Sequence, residues 1–343
     1  MNPRHRLLVL ASLTLFGAAG TGRADDAAKS RELKLSVAVG PAFALGQAAD
    51  AWARRLAERT GGALNVVLQP GASLAKRDPE REFAALRDGA ADLAVGSTLH
   101  WSADVGALAV VGLPWLAPEA RQLEQLATGD VKDRLFAAIE QAGAVPLALA
   151  PLGHRAIATR ANAVRVPDDV RGIDVRIASS RYLLDFYAGL GARPFAMPFA
   201  EAAAAFEAGR LSAQEGSTAA FVATRVDALG LKHVTLWGAI AELAVFAVNR
   251  AVWEGWTPEQ RAHVASAAND AAMELARRVQ EEEQGALATL RSRGVELMRL
   301  TPSGTAAFAA AAKPTYVKWT AIAGAEIVQS AERALAAASA TSR

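Results

Sequence analysis

The chain contains no cysteine. Disulfides, thiolate metal sites and a cysteine nucleophile are therefore excluded. Aromatic residues are scarce, at 6% of 343 positions, while alanine swells a hydrophobic fraction of 52%. That balance excludes a disordered chain and suits a helix-rich α/β protein better than an all-β sandwich. No Lys/Arg cluster stands out. The formal charge of +2 comes from the first 24 residues, which hold Arg4, Arg6 and Arg23 and no acid. Without them the 37 basic residues fall to 34, against 35 acidic ones. A nucleic-acid partner has no electrostatic footprint here.

Catalytic and cofactor motifs are missing too. Gly189-Leu190-Gly191 lacks the third glycine of a dinucleotide fingerprint, and Pro194 follows where a helix should start. There is no phosphate-binding GxxxxGK[ST] loop, no GxSxG elbow and no HExxH. His5, His100, His154, His233 and His263 never fall at metal-ligand spacing. These absences predict no catalytic residues, no metal and no cofactor.

What is present begins with an export signal. Arg4 and Arg6 precede an apolar stretch from Leu7 to Ala19, and Gly22-Arg23-Ala24 offers a cleavage site before Asp25-Asp26. The pattern is that of a secretory signal peptide over residues 1–24, and its apolar core is too short to span a bilayer. No later stretch reaches the roughly 18 apolar residues of a spanning helix. The expected location is the periplasm.

Strand and helix periods then alternate. Residues 33–39, 64–68, 92–96, 145–152, 173–177, 234–237, 243–249 and 295–300 read as strands. Residues 47–60, 78–88, 121–142, 179–189 and 200–207 read as helices. Thr257-Pro258-Glu259-Gln260 opens a helix that runs to Arg293, with Thr at the N-cap, Pro at N1 and Gln at N3. Such a length predicts a helix bridging two lobes. The alternation predicts βαβ units in a mainly parallel sheet, with a closable cleft at the strands' carboxyl ends.

Residues 153–218 carry most of the functional information. Ile173, Val175 and Ile177 alternate with Asp174 and Arg176, the period of a half-buried strand. The apolar set faces a core, so Arg176 faces water or a cleft. Arginine matches a carboxylate bidentately and stays charged. Arg155 and Arg176 are thus candidates for gripping an anion. The plainer account is an ion pair with a neighbouring aspartate such as Asp174, Asp168 or Asp169.

The order of short motifs decides between these accounts. Arg59-Thr60-Gly61-Gly62 leads into a strand ending at Pro70-Gly71. FAALRDGAADLA occupies residues 83–94 and LPWL residues 113–116. GHR follows at 153–155, VPDDVRGIDVR at 166–176, LGARP at 190–194, EAAAAFEAG at 201–209 and VNR at 248–250. In this order the chain resembles the solute receptors of tripartite ATP-independent periplasmic (TRAP) transporters, the DctP dicarboxylate-receptor family, from about residue 33 to about 325.

The resemblance implies an α/β two-lobe periplasmic binding protein of the type II-like class, with a ligand cleft between lobes and a long bridging C-terminal helix. The expected division is 33–152 plus 241–283 for lobe I, 153–240 plus 284–330 for lobe II, and a tail at 331–343. It implies a monomeric, non-enzymatic receptor that binds an organic carboxylate and hands it to integral membrane TRAP subunits. By resemblance Arg176 carries the main salt bridge, Arg155 is a second donor and Phe199 packs against the ligand. Gly216 stands where many members carry an asparagine that hydrogen-bonds the carboxylate. Its loss is expected to open space, with Gln214, Ser217 or water as replacement donor and with a ligand other than a simple C4-dicarboxylate. Trp237 and Trp101 are candidate cleft walls, or core residues, and His100 and Glu242 are candidate rim groups. Two alternatives are a receptor of an ATP-driven or citrate-type system and an exported enzyme.

Overall fold

The structure is a computed structural model, and it describes residues 32–341. The signal peptide expected at 1–24 lies outside them. Nine strands form one sheet: β1 (Leu33–Val37), β2 (Val66–Pro70), β3 (Leu93–Ser97), β4 (Ala144–Thr159), β5 (Asp174–Ile177), β6 (Arg193–Ala196), β7 (Ala213–Gly216), β8 (His233–Asn249) and β9 (Glu296–Arg299). Their order is β2-β1-β3-β8-β4-β7-β5-β6, and β9 adds to β8.

The mainly parallel expectation holds for the flanks. β1 pairs in parallel with β2 and β3, and β5 with β6 and β7. The centre differs. β4 and β8 run antiparallel over almost their whole lengths and join the flanks into one sheet. The carboxyl end of β8 pairs with β3, while its amino end pairs with β9. The far end of β4 pairs with β7. Residues 145–152, and the two runs 234–237 and 243–249, are therefore pieces of two long strands. Register shifts at Pro146/Ala148, Pro151/Gly153 and Arg155/Ile157 let β4 bend without ending. Gly153 sits in one of them with φ +93°, a conformation that costs other residues steric strain.

The expected helix over 121–142 is two helices, Ala120–Leu126 and Gly129–Gln141, because Gly129 at the start of the second takes φ +58°. The long helix Pro258–Ser292 forms as read. Thr257 Oγ1 accepts from the Gln260 amide at 3.2 Å and Gln260 returns a bond to the Thr257 amide at 3.0 Å. Val264, Ala267, Ala271 and Leu275 of this helix pack into the core behind β1, β3 and β8, against Trp52 and Phe246. Leu290 packs into a separate cluster with Phe206, Phe221 and Val234. One helix thus serves both flanks of the sheet. Most of the segment expected as a tail is helical: Ala325–Thr341 forms a helix, and Ala331 and Leu335 are buried in the largest core cluster.

Candidate functional site

A cavity of about 980 Å³ opens where strands of both flanks end. β1, β2 and β3 run into Ala38, Gly71 and His100 on one wall, and β5, β6 and β7 into Ala178, Met197 and Ser217 on the other. This is the carboxyl-end position expected for a ligand in an α/β sheet. Helices Ala44–Arg59, Arg181–Gly189, Phe199–Glu207 and Thr218–Ala223 start at the cavity wall. Their amino ends give the cavity a positive bias that suits an anion, although in Arg181–Gly189 the Arg181 and Leu183 amides are already taken by Glu80 and Ser180.

Arg176 lies in that cavity, 3% exposed. Strand alternation places it there: Val175 and Ile177 are fully buried in the core on the opposite face. Asp174 at the strand's outer end pairs with Arg193 at 2.6 Å and leaves Arg176 alone. Arg176 Nε donates to the Met197 carbonyl at 2.8 Å. Its guanidinium stacks 3.8 Å over the Phe199 ring. Phe199 in turn stacks on Phe43 of the opposite wall, with centroids 5.5 Å apart and planes 9° from parallel. The Arg176 Nη1 is buried and has no hydrogen-bond partner. Burial, and then repulsion from Arg155, push Arg176 down to about 10, although Glu215 pulls the other way. It remains charged at neutral pH, and one of its donor groups is unused.

Arg155 reaches the same cavity in a different state. Its Nε and Nη2 donate to the two Glu215 oxygens at 2.5 and 3.0 Å, and its Nη1 donates to Glu242 Oε2 at 2.7 Å. Burial works against its charge, but the two carboxylates outweigh that and raise its pKa above the usual arginine value. Burial likewise opposes ionisation of Glu215, yet Arg155 outweighs it and holds the carboxyl below its usual range. Glu215 Oε1 also accepts the Ala178 amide at 2.7 Å. Arg155 is therefore the hub of a network linking β4, β7 and β8. The role of second donor to a ligand, expected by resemblance, has to share a guanidinium already claimed by two carboxylates.

The other expected residues separate. Phe199 is on the cavity wall. Trp237 is not: it is 4% exposed and packed among Trp115, Phe186, Tyr187 and Phe308, with ring centroids 5.6–6.2 Å away. Trp101 is core as well, edge-on to Phe83. Gln214 is fully buried off the cavity, donating to Thr224 Oγ1 at 3.0 Å, and so is no replacement donor on the wall. At Gly216 a Cβ would meet the Phe221 ring at 3.2 Å. The space vacated by a side chain at 216 is thus filled by Phe221, not opened. Ser217 lines the cavity, but its hydroxyl caps its own helix by accepting from the Ala220 amide at 3.2 Å. His100 and Glu242, expected at the rim, are on the wall and mostly buried. Sequence reasoning missed Glu215 altogether, although it stands one residue before Gly216. Among the described residues no group of His, Asp and Glu could hold a metal ion.

Comparison with known proteins identifies the family and the fold. Residues 35–321 match the family model "Bacterial extracellular solute-binding protein, family 7", DctP. A TRAP periplasmic solute-binding protein from Ralstonia eutropha H16, solved with bound (S)-2-acetolactate, is 37% identical. It superposes with a TM-score of 0.85 over 90% of this chain and 99% of its own. The C4-dicarboxylate-binding periplasmic protein DctP of Rhodobacter capsulatus is 25% identical over 308 residues, 89% of this chain and 91% of that one. A solute-binding protein of Verminephrobacter eiseniae is 26% identical over 274 residues, 79% of this chain and 80% of that one. The fold is the two-lobe periplasmic binding protein fold of these receptors. No helix among the described residues is long and apolar enough to cross a membrane. With the match spanning most of its length and the carboxyl-end cavity in place, the chain belongs to the DctP family of TRAP solute-binding receptors.

Proposed function

We propose that this protein is an exported, periplasmic receptor that binds one small organic carboxylate on Arg176 and delivers it to the membrane subunits of a TRAP transporter. The observation that carries this reading is the state of Arg176: charged, 3% exposed, stacked on Phe199 and holding an unpartnered Nη1 at the cavity. A buried cation with no ion-pair partner in contact is costly. A carboxylate arriving in the cavity removes that cost and gains charge-assisted hydrogen bonds in a dry site. Phe199 covers one face of the guanidinium and steers the ligand to its edge.

Arg155, braced by Glu215 and Glu242, fixes the floor of the site and offers the ligand only its remaining N–H groups. The lobes are 33–152 with 241–283, and 153–240 with 284–330. They flex where β4 and β8 cross between the flanks, and Phe43 meets Phe199 on closure. The working form is a monomer without enzymatic activity, and the signal peptide is removed near Ala24. The bound acetolactate of the Ralstonia relative, an acid with one carboxylate, supports a ligand of similar size.

A thermal-shift screen of organic acids and their amides tests the reading. Binding raises the melting temperature by mass action. At least one acid should raise it, and the matching amide should not. A screen in which no acid shifts the protein, or in which amides work equally well, overturns the proposal.

A further inference from the structure

One pole of the cavity carries a negative charge that a receptor for paired carboxylates would not want. Glu242, from β8, is 7% exposed and lines the cavity. Its Oε2 accepts from Arg155 Nη1 at 2.7 Å and its Oε1 accepts from Ser97 Oγ. Each carboxylate oxygen has two lone pairs, so both keep acceptor capacity after these bonds. His100 lies on the same wall, 9% exposed, and its Nδ1 has no hydrogen-bond partner. Burial holds the imidazole neutral, lowering its pKa against the pull of Glu242. A neutral ring donates from one nitrogen and accepts at the other. Arg155 serves both Glu215 and Glu242, so these three groups together hold one net negative charge. Among the described residues, Arg176 is then the buried guanidinium of the cavity wall with no carboxylate partner, while Arg77 on the same wall is exposed to solvent.

We infer that Glu242, held in place by Arg155 and by Ser97 behind the wall, forms with His100 a subsite that reads a hydroxyl or oxo group of the ligand and refuses a second carboxylate. The ligand class is a monocarboxylate carrying a neutral oxygen substituent. This rests on Arg176 as the carboxylate anchor. A ligand hydroxyl donates to the Glu242 carboxylate that Arg155 holds, a bond stronger than one between neutral groups. The His100 nitrogen takes a hydroxyl or an oxo group according to its tautomer. An acid lacking the substituent leaves these buried groups unpaired, the situation in which polar sites discriminate most. A second carboxylate placed here meets Glu242 as a like charge in a water-poor pocket, where repulsion is far stronger than in bulk water. Glu242 is thus a specificity-determining residue.

The test is calorimetric titration of the full mature chain with three acids: alpha-hydroxyisovalerate, isovalerate and alpha-isopropylmalate. The first carries one carboxylate and a hydroxyl, the second lacks the hydroxyl, and the third adds a carboxylate. The expected order is hydroxyisovalerate tightest, isovalerate weaker by about tenfold or more, and isopropylmalate without measurable heat. Glu242→Gln should lower the hydroxyisovalerate affinity several-fold and bring isopropylmalate binding into range. His100→Phe, which leaves the ion-pair network intact, should narrow the gap between hydroxyisovalerate and isovalerate. Wild-type protein that binds isopropylmalate as well as hydroxyisovalerate, or isovalerate as well as either, overturns the inference and leaves the carboxylate receptor standing. Failure of all organic acids to bind is instead the failure of that underlying reading. Isopropylmalate that stays excluded from a folded Glu242→Gln protein, checked by circular dichroism, assigns the exclusion to size and also overturns the role of Glu242.

Discussion

Arg155 and Arg176 are both largely buried, both on strands and both in one cavity, yet they are opposites. Arg155 gives three N–H groups to two carboxylates on two other strands. Arg176 gives one to a backbone carbonyl, stacks on a ring and keeps Nη1 unpaired. The electrostatics follow: the carboxylates raise the pKa of Arg155, while burial takes Arg176 down to about 10. A buried charge with its counter-charges built in is scaffold. On the reading proposed above, a buried charge with no ion-pair partner is a place kept for a ligand. Burial alone does not separate the two roles; the partner count does.

Three experiments press on that contrast. The largest effect is expected at Glu215. Glu215→Ala leaves Arg155 with one carboxylate and orphans the Ala178 amide, and should cost about 3–5 kcal/mol of unfolding free energy in a denaturant titration. A loss under about 1 kcal/mol would make the network ornamental and erase the distinction.

Next is pH. Binding needs Arg176 protonated, and a carboxylate ligand is already fully ionised at neutral pH. Affinity should therefore stay flat from neutral pH upward until it approaches about 10. Beyond that it should fall by about tenfold per pH unit, since one proton is then needed for each ligand bound. An affinity that instead declines between pH 6 and 8 would point to a histidine as the anchor. The smallest effect is at the stack. Phe199→Leu keeps an apolar wall but loses the ring face under the guanidinium, and should weaken binding by about 0.5–2 kcal/mol in calorimetry. An unchanged Kd would remove Phe199 from the site.

Much of this was legible from the amino-acid order. The alternation of Ile173, Val175 and Ile177 with Arg176 put the arginine on the face away from the core, and the structure has it there. The Thr257 cap and the length of the following helix were also readable, because capping chemistry is local. The partners of Arg155 were not. Glu215 and Glu242 lie 60 and 87 residues further along the chain, and only the β4–β7 and β4–β8 registers bring them together.

β4 and β8 were read as fragments because Gly153 and Gly238 look like strand ends, whereas register shifts carry both strands past them. Trp237 illustrates the reverse error. A large ring two-thirds along the chain could border a cleft or fill a core, and the four aromatic neighbours that place it in the core come from three distant segments. Gly216 shows the same limit: whether a missing side chain leaves a hole depends on Phe221, five residues on, turning back to fill it.

The central claim is that Arg176 is held for a ligand and does not hold the fold. Arg176→Met keeps most of the side chain's length and volume and removes only the charge. Measured by thermal melting without ligand and by calorimetry with the best acid from the screen, this variant should melt at or above the wild-type temperature and show no binding. A variant that melts well below wild type, or that keeps its affinity for the acid, would contradict the account.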